Sequence, residues 1–244
     1  MFDILVYVEV ESDLISIVTP VLNEEKQIAD FLDNLRDLEG VFEAILVDGG
    51  SSDHTPDEVA KSIDGFCHPI RFLHSDRGRA IQMNRGAEEA RGGILLFLHS
   101  DCRIPRDALK VIEGVISRAA IGGGFKHAFS DSDVFLRALS GFGNFRARLT
   151  EIFFGDYGIF LRRDVFRKIG GYDEISLLED VELCRKAKKY GRLSQIDRYI
   201  SSSPRRFLAD GEFTVTVAYA VAYGLNFFGF EPSFLKEYFS GKER

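Results

Sequence analysis

Between residues 14 and 98, apolar β-branched runs of strand length alternate three times with segments of helical period, and this alternation restricts the possible folds more than any other feature. "LISIVTP" (14–20) reads as a strand closed by Pro20, after which Ile28, Phe31, Leu32, Leu35 and Leu38 recur at helical spacing. Asn23 is placed to cap that helix, Glu24 and Glu25 suit its first turn, and Gly40 ends it. "EAILVD" (43–48) is a second buried strand. "TPDE" (55–58) reads as a capping box, with Pro56 at the first helical position and Glu58 reaching back to Thr55. "PIRFL" is the third strand, Arg79 to Arg91 a small-residue helix, Gly92-Gly93 a break, and "ILLFL" the fourth strand. The pattern predicts a mostly parallel central sheet flanked by helices. Its crossovers are right-handed, and ligands gather beyond the carboxyl ends of its strands.

After Ala119 the alternation loosens. "IGGGFKHAF" reads as a strand with a flexible start, Val134 to Thr150 as a helix, "YGIFLR" as a strand, and Leu178 to Tyr190 as a helix with Gly191 just past its end. A chain of 244 residues, 45% hydrophobic and 28% charged, suits one globular α/β domain. That domain is placed at 14–205, between an N-terminal extension (1–13) and a C-terminal helical segment (206–244). The net charge of −7 argues against a nucleic-acid partner. Cys67, Cys102 and Cys184 are odd in number and far apart, so they suit a reducing, cytoplasmic setting better than a disulfide framework. "MFDILVYVEVESD" carries acids where a signal peptide needs a basic region. The uncharged run from Phe213 to Phe230 falls short of the roughly 20 apolar residues that span a bilayer.

Four strands deliver polar groups to one edge of the predicted sheet: "PVLNEE", "DGGSSDHT", "HSDRGR" and "HSD". Asp48 could accept from a nucleobase imide or ribose hydroxyls, or act as a turn aspartate. Asp53, in a Ser-rich turn, is expected to bond its own backbone. His99 and Asp101, two apart at a strand end, point to one side and could offer nitrogen and oxygen to a metal ion, or form a self-satisfied turn. Arg77 and Arg79 flank Gly78 and could grip phosphate oxygens or remain surface charges. Asn84 reads as packing or capping taken alone, and Glu179-Asp180 as acids complementing a helix dipole.

As an ordered set, "ISIVTPVLNEE", "AILVDGGSSDHT", "RGRAIQMNRGAEEARGGILLFLHSD", "GDYGIFLRRDVFRKIGGYDE" and "LLEDVELCRKAKKYGR" resemble the family-two glycosyltransferases with the GT-A fold, over residues 14 to about 195. The resemblance implies that Pro20, Leu22, Glu24, Asp48 and Arg79 hold a nucleotide, and that Asn84, Ser100 and Asp156 face the donor sugar. It implies Asp101, with His99, as ligands of Mn2+ or Mg2+, and Asp180, preceded by Glu179, as the catalytic pair. The family's Asp-x-Asp is here His99-Ser100-Asp101, a departure that puts metal identity in question. Processive members carry QxxRW; here only "SPRRF" stands at that place, so a single transfer is expected.

The expected activity is inverting, metal-assisted transfer of a sugar from a nucleoside diphosphate, UDP favoured slightly over GDP, to an acceptor hydroxyl that could be lipid-linked. The alternatives are a nucleotide-sugar-binding protein without transfer activity and, more weakly, a nucleotidyltransferase. Phe213 to Phe239 carries an apolar stripe at Phe213, Val217, Val221, Leu225 and Phe228. The stripe is expected to cover the domain or a homodimer partner, with weak peripheral contact to the inner face of a membrane at most.

Overall fold

A computed structural model of the chain describes residues 11–130, 133–175 and 177–227. Residues 1–10 and 228–244, which carry most of the expected N-terminal extension and the end of the C-terminal segment with Phe228, lie outside the described residues. The first half follows the predicted alternation through β1 (Glu11–Val21), α1 (Ile28–Arg36), β2 (Phe42–Asp48), α2 (Thr55–Ser62), β3 (Ile70–His74), α3 (Arg79–Glu89) and β4 (Gly92–Phe97). These strands lie in the order β3-β2-β1-β4 and are all parallel. Because successive strand side chains face opposite ways, the sheet has two apolar layers. Val18, Ile45 and Val47 cluster with Ala80, Met83 and Ala87 of α3, whereas Ile15, Ile17, Ala44 and Leu46 cluster with Phe31, Leu32 and Leu35 of α1.

Three local expectations are corrected. Pro20 does not close β1, which runs on to Val21. Its pairing with β4 ends at Val18 opposite Phe97, so the N–H that proline lacks has no ladder acceptor to serve there. Asn23 does not cap α1; it adopts a left-handed φ of 54° and its side chain accepts from the Ser52 N–H. Thr55 is no capping box either, because its hydroxyl donates to Asp53 Oδ1 and accepts from the Glu24 N–H, which ties the loops after β1 and β2 together.

The chain continues through β5 (Cys102–Arg103), α4 (Ala108–Ile116), β6 (Gly122–Phe129), α5 (Val134–Thr150), β7 (Ile159–Arg162), α6 (Arg163–Lys168), α7 (Glu179–Ala187), β8 (Leu193–Ser202), α8 (Arg205–Asp210) and α9 (Glu212–Phe227). The result is one mixed sheet of order β3-β2-β1-β4-β7-β6-β8-β5, in which β7 runs antiparallel to both β4 and β6. The start of β6 is not flexible. Gly122 and Gly123 are buried and paired with β7 on one side and β8 on the other, and a Cβ on Gly123 would lie 1.9 Å from the Ser194 carbonyl oxygen. Gly123→Ala is therefore expected to destabilise the fold by about 3 kcal/mol, since the obstacle is backbone and cannot rotate away. A urea melt with an unchanged midpoint would refute that.

α9 packs on the domain through Val215 and Ala222, with the Tyr223 ring edge-on to Phe154. Val217 and Val221 of the expected inward stripe face outward instead. A helix that is apolar nearly all round does not select a face by period alone. Among the described residues no helix is long and apolar enough to cross a membrane. The cysteines are free, and burial pushes the Cys184 thiol up to about 12, so it stays protonated at neutral pH.

Candidate active site

Side-chain bonds fasten the carboxyl ends of β1 and β2 to each other. The Asp48 carboxylate, almost wholly buried at the end of β2, accepts from the Gly50 and Ser51 N–H groups and the Ser51 hydroxyl, while the Ser51 hydroxyl accepts in turn from the Asn23 N–H. His74 Nδ1 lies 3.3 Å from the same carboxylate. Asp53 behaves as expected of a turn residue, accepting from the N–H groups of Thr55 and Glu25. Gln82 of α3 donates to the carbonyls of both Val21 and Val47, a brace that no motif announced. Pro20 is buried at this edge, with Leu22 half-buried beyond it.

Glu24 reaches across the edge to the far end of the chain. Its two carboxylate oxygens take a fork of bonds from Arg205, 2.6 and 2.9 Å long, at the start of α8. Burial raises the Glu24 pKa, while the guanidinium opposes that rise; Asp101 stands close enough to add to it. Arg205 therefore brings positive charge to the place where Glu24, buried Ser100 and Asp101 meet.

A second group of polar side chains closes around Gly155, in the short turn (Gly155–Tyr157) before β7. A Cβ on Gly155 would lie 2.4 Å from His99 Cε1, 2.6 Å from His99 Nε2 and 2.8 Å from Asp180 Oδ2, so imidazole and carboxylate face each other across a gap that only glycine leaves open. Asp180 and Glu179 are both buried in the first turn of α7, behind Leu178 in a left-handed conformation (φ 66°). Arg79 Nη1 approaches Glu179 Oε1 at 3.8 Å. Burial, then the neighbouring Glu179, raise the Asp180 pKa well above the usual carboxylate range, against the pull of Arg79. Burial and Arg79 lower that of His99, which favours its neutral form.

Unpaired buried polar atoms concentrate in this second group. Among the described residues eight buried side-chain polar atoms have no partner, and four of them, His99 Nε2, Asp156 Oδ1, Tyr172 Oη and Asp180 Oδ1, belong to this group. Buried polar atoms are nearly always satisfied, so this concentration sets the group apart; Tyr172 and Asp180 lie close enough to act on each other's titration. The other oxygen of Asp156 lies 3.4 Å from His127 Nε2, which also contacts the Ser202 hydroxyl at 2.8 Å. Both partners share one ring nitrogen, so this trio lacks the two-sided relay of a nucleophilic Ser-His-Asp triad.

Eleven of the twelve residues proposed from the sequence thus sit on two adjoining parts of one edge. Asn84 does not join them as a free group: its amide donates to the Tyr172 carbonyl and accepts from the Tyr172 N–H, a packing role. Asp48 joins them with its oxygens already engaged by its own loop. Gly155, Tyr172, Gln82 and His127 were not foreseen; the only trace of Gly155 in the sequence is a small residue inside the "GDYG" block. For a metal ion, no three His, Cys, Asp or Glu side chains gather among the described residues. Of the two expected ligands, His99 lies in the group around Gly155 and Asp101 in the group beside Glu24 and Arg205.

The family model described as Glycosyl transferase family 2 matches residues 16–170, more than half of the chain. An undecaprenyl-phosphate 4-deoxy-4-formamido-L-arabinose transferase of Pseudomonas aeruginosa (strain LESB58) is 29% identical over 189 residues, 73% of this chain and 52% of that protein. The chain spans a third to about half the length of such curated relatives. Among solved structures, S. aureus TarS 1-349 in complex with UDP-GlcNAc superposes with a TM-score of 0.61 at 19% identity, covering 78% of this chain and 58% of that one. The mannosyltransferase PcManGT from Pyrobaculum calidifontis, in complex with GDP-Man and Mn2+, superposes with a TM-score of 0.63 at 18% identity, covering 78% and 56%. These likenesses identify the fold.

Proposed function

The chain belongs to glycosyl transferase family 2, and on that premise we propose that it transfers a sugar from a nucleoside diphosphate to an acceptor hydroxyl with inversion, Asp180 acting as general base. The observation that carries this reading is the group around Gly155, where the buried Asp180 carboxylate, next to Tyr172, faces the His99 imidazole. In the transfer, the acceptor O–H gives its proton to Asp180 as its oxygen bonds to the anomeric carbon. The carbon–oxygen bond to the diphosphate breaks on the opposite face, and its electron pair leaves with the β-phosphate.

Pro20, Leu22, Glu24 and Asp48 line the nucleotide side, with Arg79 and Arg205 supplying positive charge toward the diphosphate. Ser100 and Asp156 take the donor sugar. Asp101 and His99 would hold Mn2+ or Mg2+, and a bound divalent ion supplies Lewis-acid neutralisation of the departing diphosphate. Complexes of TarS with UDP-GlcNAc and of PcManGT with GDP-Man and Mn2+ support a nucleotide-sugar donor with metal, and the undecaprenyl-phosphate relatives support a lipid-linked acceptor.

The test is calorimetric titration with UDP and GDP, each with and without Mn2+, beside a screen for nucleotide released from sugar donors. UDP with Mn2+ is expected to bind most tightly, and both excess EDTA and Asp101→Ala to abolish release. Undiminished turnover in EDTA would overturn the metal assignment, and tight binding with no release from any donor would favour the binding protein over the enzyme.

A further inference from the structure

Helix α5 (Val134–Thr150) is built inside out. Its buried positions, Leu136, Ser140, Asn144 and Ala147, include two polar residues, and the Asn144 amide is spent on the N–H and carbonyl of His127. Phe135, Ala138, Phe142, Phe145 and Leu149, spaced alternately by three and four, make the opposite stripe, which at 3.6 residues per turn runs straight along the helix. That stripe faces outward: Phe142, Phe145 and Leu149 are 68%, 61% and 67% exposed. Single exposed apolar residues are ordinary on a protein surface; a continuous row of large ones marks an interaction site.

Charge indicates the occupant. The chain carries −7 overall, yet α5 holds Arg137, Arg146 and Arg148 and no acid. At 100° per residue Arg137 and Arg148 fall on one flank of the stripe and Arg146 on the other, where Arg146 stacks on Phe154 and Tyr223. At the carboxyl end the Lys188 ammonium donates to the Thr150 carbonyl, and exposed Tyr190 follows two residues later. The nearby acids are mostly paired, Glu151 with Arg192 and Asp197 with Lys126. With Arg146 turned inward, an aromatic stripe flanked by Arg137 and Arg148 has the composition of a helix lying in the headgroup region of an anionic bilayer.

We propose that α5, in place of the C-terminal segment, is the membrane-docking surface of this protein, its phenylalanine stripe entering an anionic lipid surface. The residues directly after it, 151–154, lead into the Gly155 turn, so docking here would set the candidate active site near lipid-linked acceptors. The docking itself does not rest on the transferase reading, and its test reads binding alone.

The full chain is floated with vesicles of phosphatidylcholine and with vesicles containing phosphatidylglycerol. Wild type is expected to float with the anionic vesicles and to lose them as salt is raised. The double variant Phe142→Ser, Phe145→Ser should bind at least about tenfold more weakly, because two aromatic side chains no longer leave water. Arg148→Glu should weaken binding to the anionic vesicles, and donor titration should be unchanged in both variants. The proposal is overturned if wild type floats with neither vesicle, or if the double variant floats as well as wild type. It is equally overturned if wild type is a dimer in analytical ultracentrifugation that the double variant splits, because the stripe would then bind a second copy.

Discussion

Replacing Asp180 with asparagine is expected to slow sugar transfer by about 10²- to 10⁴-fold, the range for loss of a general base, while nucleotide affinity holds. Asparagine keeps the volume and hydrogen-bonding capacity of the side chain in its buried setting and removes only its ability to take a proton. The sign of the pH effect follows from the raised pKa of Asp180, caused first by burial and then by Glu179. Only the ionised form can act as base, so turnover should fall as pH drops through that raised value. Stability runs the other way. For an acid whose pKa is higher folded than unfolded, the stabilising contribution is complete below the unfolded value and is lost as pH rises through the folded one. The asparagine variant escapes that loss, so at neutral pH it should melt no lower than wild type. Wild-type turnover in this variant would remove Asp180 from the role of base, and a large drop in its melting temperature would show that the carboxylate is structural.

Gly155→Ala is expected to be nearly as damaging to turnover, for a steric reason. One methyl group would stand 2.4 Å from the His99 ring and 2.8 Å from Asp180 Oδ2, and nothing in the packed turn gives it room. The ring and the carboxylate must separate, and misplacing reacting groups by about 1 Å costs on the order of 10²-fold in rate. Overpacking should also lower stability by about 1–3 kcal/mol. Cutting His99 back to alanine in the same chain opens the space the methyl group needs. The double variant should therefore recover most of the lost stability, giving a favourable coupling energy in the double-mutant cycle, without recovering turnover. Additive losses of stability would mean that Gly155 and His99 do not meet as described.

The polar edge itself was legible in the chain, because a strand that ends in "TPVLNEE", "VDGG" or "LHSD" changes from apolar to polar where it leaves the sheet. Eleven of the twelve residues chosen on that ground and by resemblance are brought together at that edge. Asn84 bonds the Tyr172 backbone 88 residues away, a partner that a helical amide's position in the sequence does not reveal. β8 went unread because its burial does not alternate cleanly: "DRY" faces solvent in the middle of a strand whose ends are buried. The glycines before "FKHAF" suggested looseness; they are there because β7 and β8 press on β6 from both sides.

What the sequence by itself determined was local: the order of strands and helices, the two-sided core and the strand ends that turn polar. Those properties depend on side-chain period and on the residues where each element stops, and both are written within a dozen positions of one another. Tertiary structure alone decided which groups meet. Glu24 is clasped by Arg205, 181 residues later, and His99 faces Asp180 across Gly155 because β7 enters the sheet antiparallel beside β4. It also decided that the apolar stripe of α5 points away from the core. Helical period reports that a face is apolar, and only the packing of neighbouring elements determines whether protein or something else covers it.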